Sequence, residues 1–281
     1  MKAFVTTVPA AAAELAADRL WSLGVGAIEE RAGAGGDIEL WTVLGEDATT
    51  IGEAAAALHP DWTWRIEVVD PLPAETWRDH VGPVGIGDRL VIVPAWHPPS
   101  RHETSGRTVV SIEPGAAFGL GDHPTTRSSL ALLVDELDRR AGGGGPPAVL
   151  DVGCGTGVLA ISAALLGARP VRAIDISAAA VEATVDNARR NGVLGEVAVD
   201  SSALADVEGD FELVVANILA PTLCALAPSL RAAVRPGGAL VIGGVLEDRH
   251  DHVLAALRPL RPEQHMVLDG WAAVLLRRST G

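Results

Sequence analysis

The sequence predicts an α/β fold, a doubly wound sheet that fills most of the chain, with a small α+β unit in front of it. Three observations carry this expectation. Beyond Ala148, short apolar runs at 149–152, 171–174, 211–216 and 239–243 alternate with helical stretches, as buried strands of a parallel sheet do. The first run leads into Asp151-Val152-Gly153-Cys154-Gly155-Thr156-Gly157, a glycine-rich turn between a strand and a helix. Residues 1–70 read instead as βαββαβ, the order of a ferredoxin-like module.

Taken in order, the first unit has a strand over 2–8, a helix over 10–23, strands over 27–31 and 38–44, a second helix over 49–58 and a strand over 63–69. It carries four basic side chains against twelve acidic ones. Any one of these charges reads as solvated surface, but together they suit the unit to docking something basic. Asp70-Pro71-Leu72-Pro73 follows. Each proline fixes its own φ and pushes the preceding residue out of the helical region, so the domain boundary is placed here, with 71–88 a linker and 89–281 the larger domain. Strands over 89–94 and 108–112 and a helix from near Thr125 lead into that domain. Gly142 to Gly145 and Pro146-Pro147 then make a turn before the first buried strand.

Composition narrows the function. The 281 residues are 48% hydrophobic and 21% charged, which is enough apolar surface to fold. A net charge of −14 repels phosphate backbones, so free nucleic acid is a poor partner and a cationic one a better partner. The Ala-rich stretch 10–17 contains Glu14 and is too short and too charged for a signal peptide or a membrane span. With only Cys154 and Cys224 present, and Cys154 inside the glycine turn, no disulfide framework is expected. A reducing cytoplasm fits.

Gly153, Gly155 and Gly157 allow a ligand to approach backbone N–H groups at a helix N-terminus, although a merely tight βα turn would use the same residues. Asp175 ends the next strand, 22 residues after Gly153, where a carboxylate can accept both hydroxyls of an adenosine ribose. Its other reading is a helix N-cap, a task for which Ser177 is equally suited. NAD would fit the same frame, but the fingerprint is G-x-G-x-G rather than G-x-G-x-x-G and no second mononucleotide half follows. Asn217 lies at the C-terminal edge of the strand over 211–216, where open α/β sheets hold ligands. Its amide could orient a cofactor or an amine, or simply make an Asx turn. Residues 113–127, with Phe118, Asp122 and His123, form a glycine-rich polar loop before a helix and read as a lid. His123 itself reads equally as a cap or a surface residue.

These motifs together resemble the ribosomal protein L-eleven methyltransferases. The likeness runs through Thr76-Trp77-Arg78-Asp79-His80, Val91 to Trp96, Pro114 to Thr126, Leu150 to Ile161 with the glycine turn, Ala173 to Asn191, and Leu213 to Ala220 with Asn217-Ile218-Leu219-Ala220. It continues through Arg235-Pro236-Gly237-Gly238 and the C-terminal run from Gly270 to Arg277. It covers nearly all of the larger domain and is weak in residues 1–70. The resemblance implies a Rossmann-like methyltransferase sheet using S-adenosylmethionine, held by Thr126, Gly153, Asp175 and Asn217, with Gly155 and Phe118 as further contacts. It implies methylation of lysine side chains, with the N-terminal amine a further acceptor, on ribosomal protein L-eleven, free or on the large subunit. The first unit would then be the substrate-recognition domain. Asn217 would orient the reacting groups, with no general base assigned, no metal, no direct nucleic acid, no membrane, and a monomeric enzyme. Asp122 departs from the family, which carries a small polar residue or a histidine there. The alternatives are a methyltransferase for another protein lysine or a small molecule, and a non-catalytic cofactor-binding module.

Overall fold

A computed structural model describes residues 2–21, 25, 28–42, 51–52, 55–56, 58–68, 81–97, 100, 104–114, 119–143, 145–248 and 250–280. The expected connector at 70–73, the Thr76–His80 motif and Phe118 lie outside the described residues. The chain divides into two compact units, Met1–His80 and Val81–Gly281.

In the first unit, strands β1 (Lys2–Pro9), β2 (Ile28–Ala32), β3 (Asp37–Thr42) and β4 (Thr63–Val68) form one sheet in the order β2-β3-β1-β4. Every pairing is antiparallel, which is the ferredoxin-like arrangement. Ala10–Ala12 make a tight 3-10 turn rather than the start of the expected helix, and α1 runs over Ala13–Trp21. Such turns commonly open helices, here directly after Pro9 closes β1. Of the second expected helix, residues 51–52 and 55–56 are described and are helical. Phe4 and Leu40 on one sheet face, with Ala16 and Leu20 of α1, are fully buried. On the other face Trp41 lies under the Arg31 guanidinium at 3.9 Å. Arg31 pairs with Glu29, and Arg65 with Glu39 and Glu67. Three acids of this face are therefore already matched by arginines.

The second unit opens with β5 (Val84–Ile86), β6 (Leu90–Pro94) and β7 (Thr108–Ile112), a small sheet in which β5 and β6 are antiparallel and β6 and β7 parallel. Residues 84–86, expected within the linker, are thus a strand of the larger unit. Helix α2 (Pro124–Arg140) precedes a seven-stranded sheet. Its chain order is β8 (Val149–Val152), α3 (Val158–Leu165), β9 (Val171–Ile174), α4 (Ala178–Arg190), β10 (Val197–Asp200), β11 (Phe211–Asn217), α5 (Ala220–Ala233), β12 (Val234–Leu246), α6 (Asp251–Ala256), β13 (Arg261–Leu268) and β14 (Trp271–Arg277). Its spatial order is β10-β9-β8-β11-β12-β14-β13. Five strands are parallel, and β14 runs antiparallel to both neighbours, so the sheet is mixed.

Successive residues of the central strands enter opposite layers, as the pleat requires. Val149, Leu213, Val215 and Val241 join α2, α3 and the β5–β7 sheet in one core, while Leu150, Val214, Leu240 and Ile242 join α5 and α6 in the other. The chain winds outward from β8 to β9 and β10, then returns to place β11 on the other side of β8. That reversal opens a crevice at the C-terminal ends of β8 and β11, and the glycine turn and Asn217 stand on its two sides.

Candidate cofactor and active site

The glycine turn is held from below. Asp151, at the end of β8, is fully buried and accepts from the Ala160 backbone N–H at 3.0 Å through Oδ2, while its Oδ1 has no partner. Burial pushes its carboxyl up to about 7, with the nearby Asp175 charge acting in the same direction and the Ala160 hydrogen bond opposing. Gly153 and Cys154 donate to the Ile174 carbonyl, which ties the turn to β9. Gly153 has φ of 73°, and a Cβ there would lie 2.5 Å from the Ile218 side chain. Glycine is therefore required by torsion and by space at once. Cys154 is buried, and burial raises its thiol far above the usual range, so it is inert.

Asp175 follows β9. Its Oδ2 accepts from Gly155 N–H at 3.0 Å and its Oδ1 from Ser177 N–H at 2.9 Å. Ser177, not Asp175, caps α4, so the cap reading of this acid does not hold. Each carboxylate oxygen retains lone pairs beyond its one backbone bond, so the carboxylate is oriented and still able to accept from a diol.

The far side of the crevice is built by Asn217, Thr126 and the start of α2. Asn217 ends β11 and donates from Nδ2 to Thr126 Oγ1 at 3.4 Å; its buried Oδ1 has no partner, which rules out an Asx turn. Thr126 is 1% exposed. His123 is the N-cap of α2, with Nδ1 accepting from Thr125 N–H, and its ring stands edge-on to Trp271 at 5.5 Å. Burial lowers the His123 pKa, with Asp122 partly countering it, and a neutral ring suits the cap. Asp122 itself is exposed.

Several side chains that sequence reasoning did not single out join Glu113 and Gly119, on either side of the expected lid, to the turn and α4. Thr156 donates to the Gly119 carbonyl at 2.6 Å. Asn187 of α4 donates to the Glu113 and Thr156 carbonyls and accepts from Glu113 N–H, all within 3.0 Å. One turn on, Asn191 exchanges two bonds with Ser111. The spacing of Asn187 and Asn191 on one helix face was the available signal, and it is weak, because helices often carry solvated amides. Gly243 and Gly244 pass so close to Asn217 and Ile218 that a Cβ on Gly244 would lie 2.6 Å from the Ile218 carbonyl oxygen.

Crevice and residues fit an adenosyl sulfonium ligand. A glycine cradle lies on one side, an oriented carboxylate stands beside it, and a buried unsatisfied acceptor stands at the opposite wall. Among the described residues there is no group of three metal-ligating side chains, and no helix is long and apolar enough to cross a membrane.

Comparison with known proteins agrees with this geometry. The family model for ribosomal protein L11 methyltransferase matches residues 52–279. The ribosomal protein L11 methyltransferase of Citrifermentans bemidjiense is 43% identical over 205 residues, 73% of this chain and 66% of that protein. The Bordetella parapertussis protein of the same name is 42% identical over 233 residues, 79% of this chain and 73% of its own. The matched segment thus spans about two thirds to three quarters of these relatives' lengths. Among solved structures, the ribosomal protein L11 methylase from Lactobacillus delbrueckii subsp. bulgaricus superposes with a TM-score of 0.63 at 32% identity, covering 71% of this chain and 100% of that one. The sheet is a Rossmann-like methyltransferase sheet, and the chain belongs to the ribosomal protein L11 methyltransferase family.

Proposed function

We propose that this protein transfers methyl groups from S-adenosylmethionine to amino groups of ribosomal protein L11, on lysine side chains and on the N-terminal amine. The observation that carries this reading is the convergence of the glycine turn, Asp175 and the Thr126–Asn217 pair on one crevice in a chain of this family.

When bound, S-adenosylmethionine supplies an electrophilic methyl group on a sulfonium. Asp175 would accept from the ribose hydroxyls, Gly153 and Gly155 would allow the close approach, and Thr126 and Asn217 would hold the reacting end. Phe118 is assigned to the adenosine side of the lid by resemblance alone. A lysine amine has a pKa of ~10.4 in water and attacks only when neutral, so the site has to desolvate it. Neither Asp151, sealed beneath the turn, nor His123, whose Nδ1 serves the helix cap, is placed to take that proton. It leaves to water, and the rate advantage comes from aligning amine, methyl and sulfur. Asp122, exposed at the start of α2, adds an anion that favours arrival of a cationic lysine.

Residues 1–80 are assigned to substrate recognition. Their excess of acid suits a basic ribosomal protein, although the glutamates paired with Arg31 and Arg65 contribute little net charge to it. The test is transfer of labelled methyl from S-adenosylmethionine into purified large ribosomal subunits, followed by mass spectrometry of the separated proteins. Label on amines of L11 is expected. Label confined to another protein moves the substrate elsewhere.

A further inference from the structure

Helix α2 presents Thr126 and then Ser129 toward the end of β11. Ser129 is 1% exposed and its hydroxyl has no hydrogen-bond partner. Serines inside helices commonly bond back to the carbonyl four residues earlier, as Ser128 does to Pro124 at 2.9 Å and Ser162 to Val158 at 2.6 Å. Ser129 does not. A second buried orphan is Asn217 Oδ1. Both atoms crowd the Cα of Gly243 in β12, where a Cβ would overlap the Ser129 hydroxyl and lie 2.6 Å from Asn217 Oδ1. Gly243 is not among the glycines with positive φ, so it is demanded by space alone. Three elements therefore deliver an uncommitted hydroxyl and an uncommitted acceptor to the same point. The one bond that Asn217 makes there, to Thr126 at 3.4 Å, is too long to fix an amide by itself.

We propose that Ser129 and Gly243 are positioning residues for methyl transfer. The two groups are not bonded to each other in this structure; when the crevice is filled the Ser129 hydroxyl turns to donate to Asn217 Oδ1 while Thr126 accepts from Nδ2, so the amide is held with a defined acceptor side, and Gly243 leaves the space in which the side chains meet. An amide turned end for end would present donors where a lone pair is required. The inference rests on the reading of Asn217 as the residue at the reacting end.

The test uses the full chain and four variants, Ser129→Ala, Gly243→Ala, Asn217→Ala and the Ser129→Ala/Asn217→Ala double. Single-turnover methyl transfer to L11 and the melting temperature are measured for each. Ser129→Ala removes a hydroxyl that stabilises nothing in the resting fold, so its melting temperature should match the parent while transfer slows about tenfold through misalignment. Gly243→Ala should slow transfer at least as much. The double variant should be no slower than Asn217→Ala, because a residue acting through Asn217 has no effect once the amide is gone. Parental rates in Ser129→Ala beside a slow Asn217→Ala would overturn the proposal, as would losses that multiply in the double. Parental rates in Asn217→Ala would instead bring down the reading on which the proposal rests.

Discussion

Asp175, proposed above to accept from the ribose, is a carboxylate whose orientation the backbone sets. Two backbone N–H groups fix its plane, one from the glycine turn and one from the start of α4, while Ser177 takes over the capping duty. Removing it costs ligand hydrogen bonds and also loosens Gly155. Asp175→Ala should therefore weaken S-adenosylmethionine binding on the order of 100-fold by titration calorimetry, since bonds to a charged acceptor are each worth ~1.5–3 kcal/mol. Asp175→Asn, which keeps an acceptor, should lose less. Binding unchanged in both would remove Asp175 from the site. The sequence made this residue legible by its distance from Gly153. It could not show which of Asp175 and Ser177 caps the helix, because either side chain satisfies the local pattern and only the tertiary approach of Gly155 separates them.

At the scale of elements, the crevice depends on backbones meeting at glycines. Gly153 is pinned against Ile218, which ties the turn after β8 to the turn after β11. Gly153→Ala pays for a positive φ and for displacing Ile218, so it should lower stability by roughly 1–3 kcal/mol and weaken cofactor binding in the same titration. A variant with parental stability and affinity would show that the contact is slack. The strands at 149–152 and 171–174 were legible to the residue because three of the four residues in each are buried and apolar, with Asp151 and Arg172 the single polar interruptions. β10 and β13 were not, since their exposed positions break the run: four residues with one buried in β10, and none fully buried in β13. β12 begins at Val234, earlier than its apolar stretch, because Arg235-Pro236-Gly237-Gly238, which reads as a turn, bulges out between the paired residues Val234 and Ala239 with Gly237 at a φ of 74°. The lid's anchorage through Asn187 joins residues 74 apart in sequence, a distance at which a single sequence carries no pairing signal.

For the molecule as a whole, an ion cluster joins α2 to the antiparallel edge of the large sheet. Glu136, 1% exposed, is held by Arg139, Arg140 and Arg277, and Arg277 also holds Glu263. Burial would raise the Glu136 carboxyl, but hydrogen bonds from the arginines prevail and bring it down to about 2. Because the folded value lies below the unfolded one of ~4.3, the stability it confers is complete above that pH and is lost as the pH falls toward 2. Melting temperatures should thus drop more steeply between about pH 5 and about pH 2 in the parent than in Glu136→Gln. Glu136→Ala, which strands the arginines, should cost about 3–5 kcal/mol at neutral pH. Equal acid sensitivity in parent and Glu136→Gln would contradict the assignment. The ferredoxin-like order of the first unit and the doubly wound sheet of the second were both foreseen from periodicity. The boundary between them was not foreseen to the residue, because 84–86 make too short a strand to stand out.

The most direct measurement compares the full chain with residues 81–281 in two assays, calorimetric binding of S-adenosylmethionine and transfer of labelled methyl to purified L11. Both proteins should bind the cofactor with similar affinity, and only the full chain should label L11. A full chain that binds the cofactor yet leaves L11 unlabelled would contradict the assigned substrate, and a fragment that labels L11 as well as the full chain would contradict the recognition role of residues 1–80.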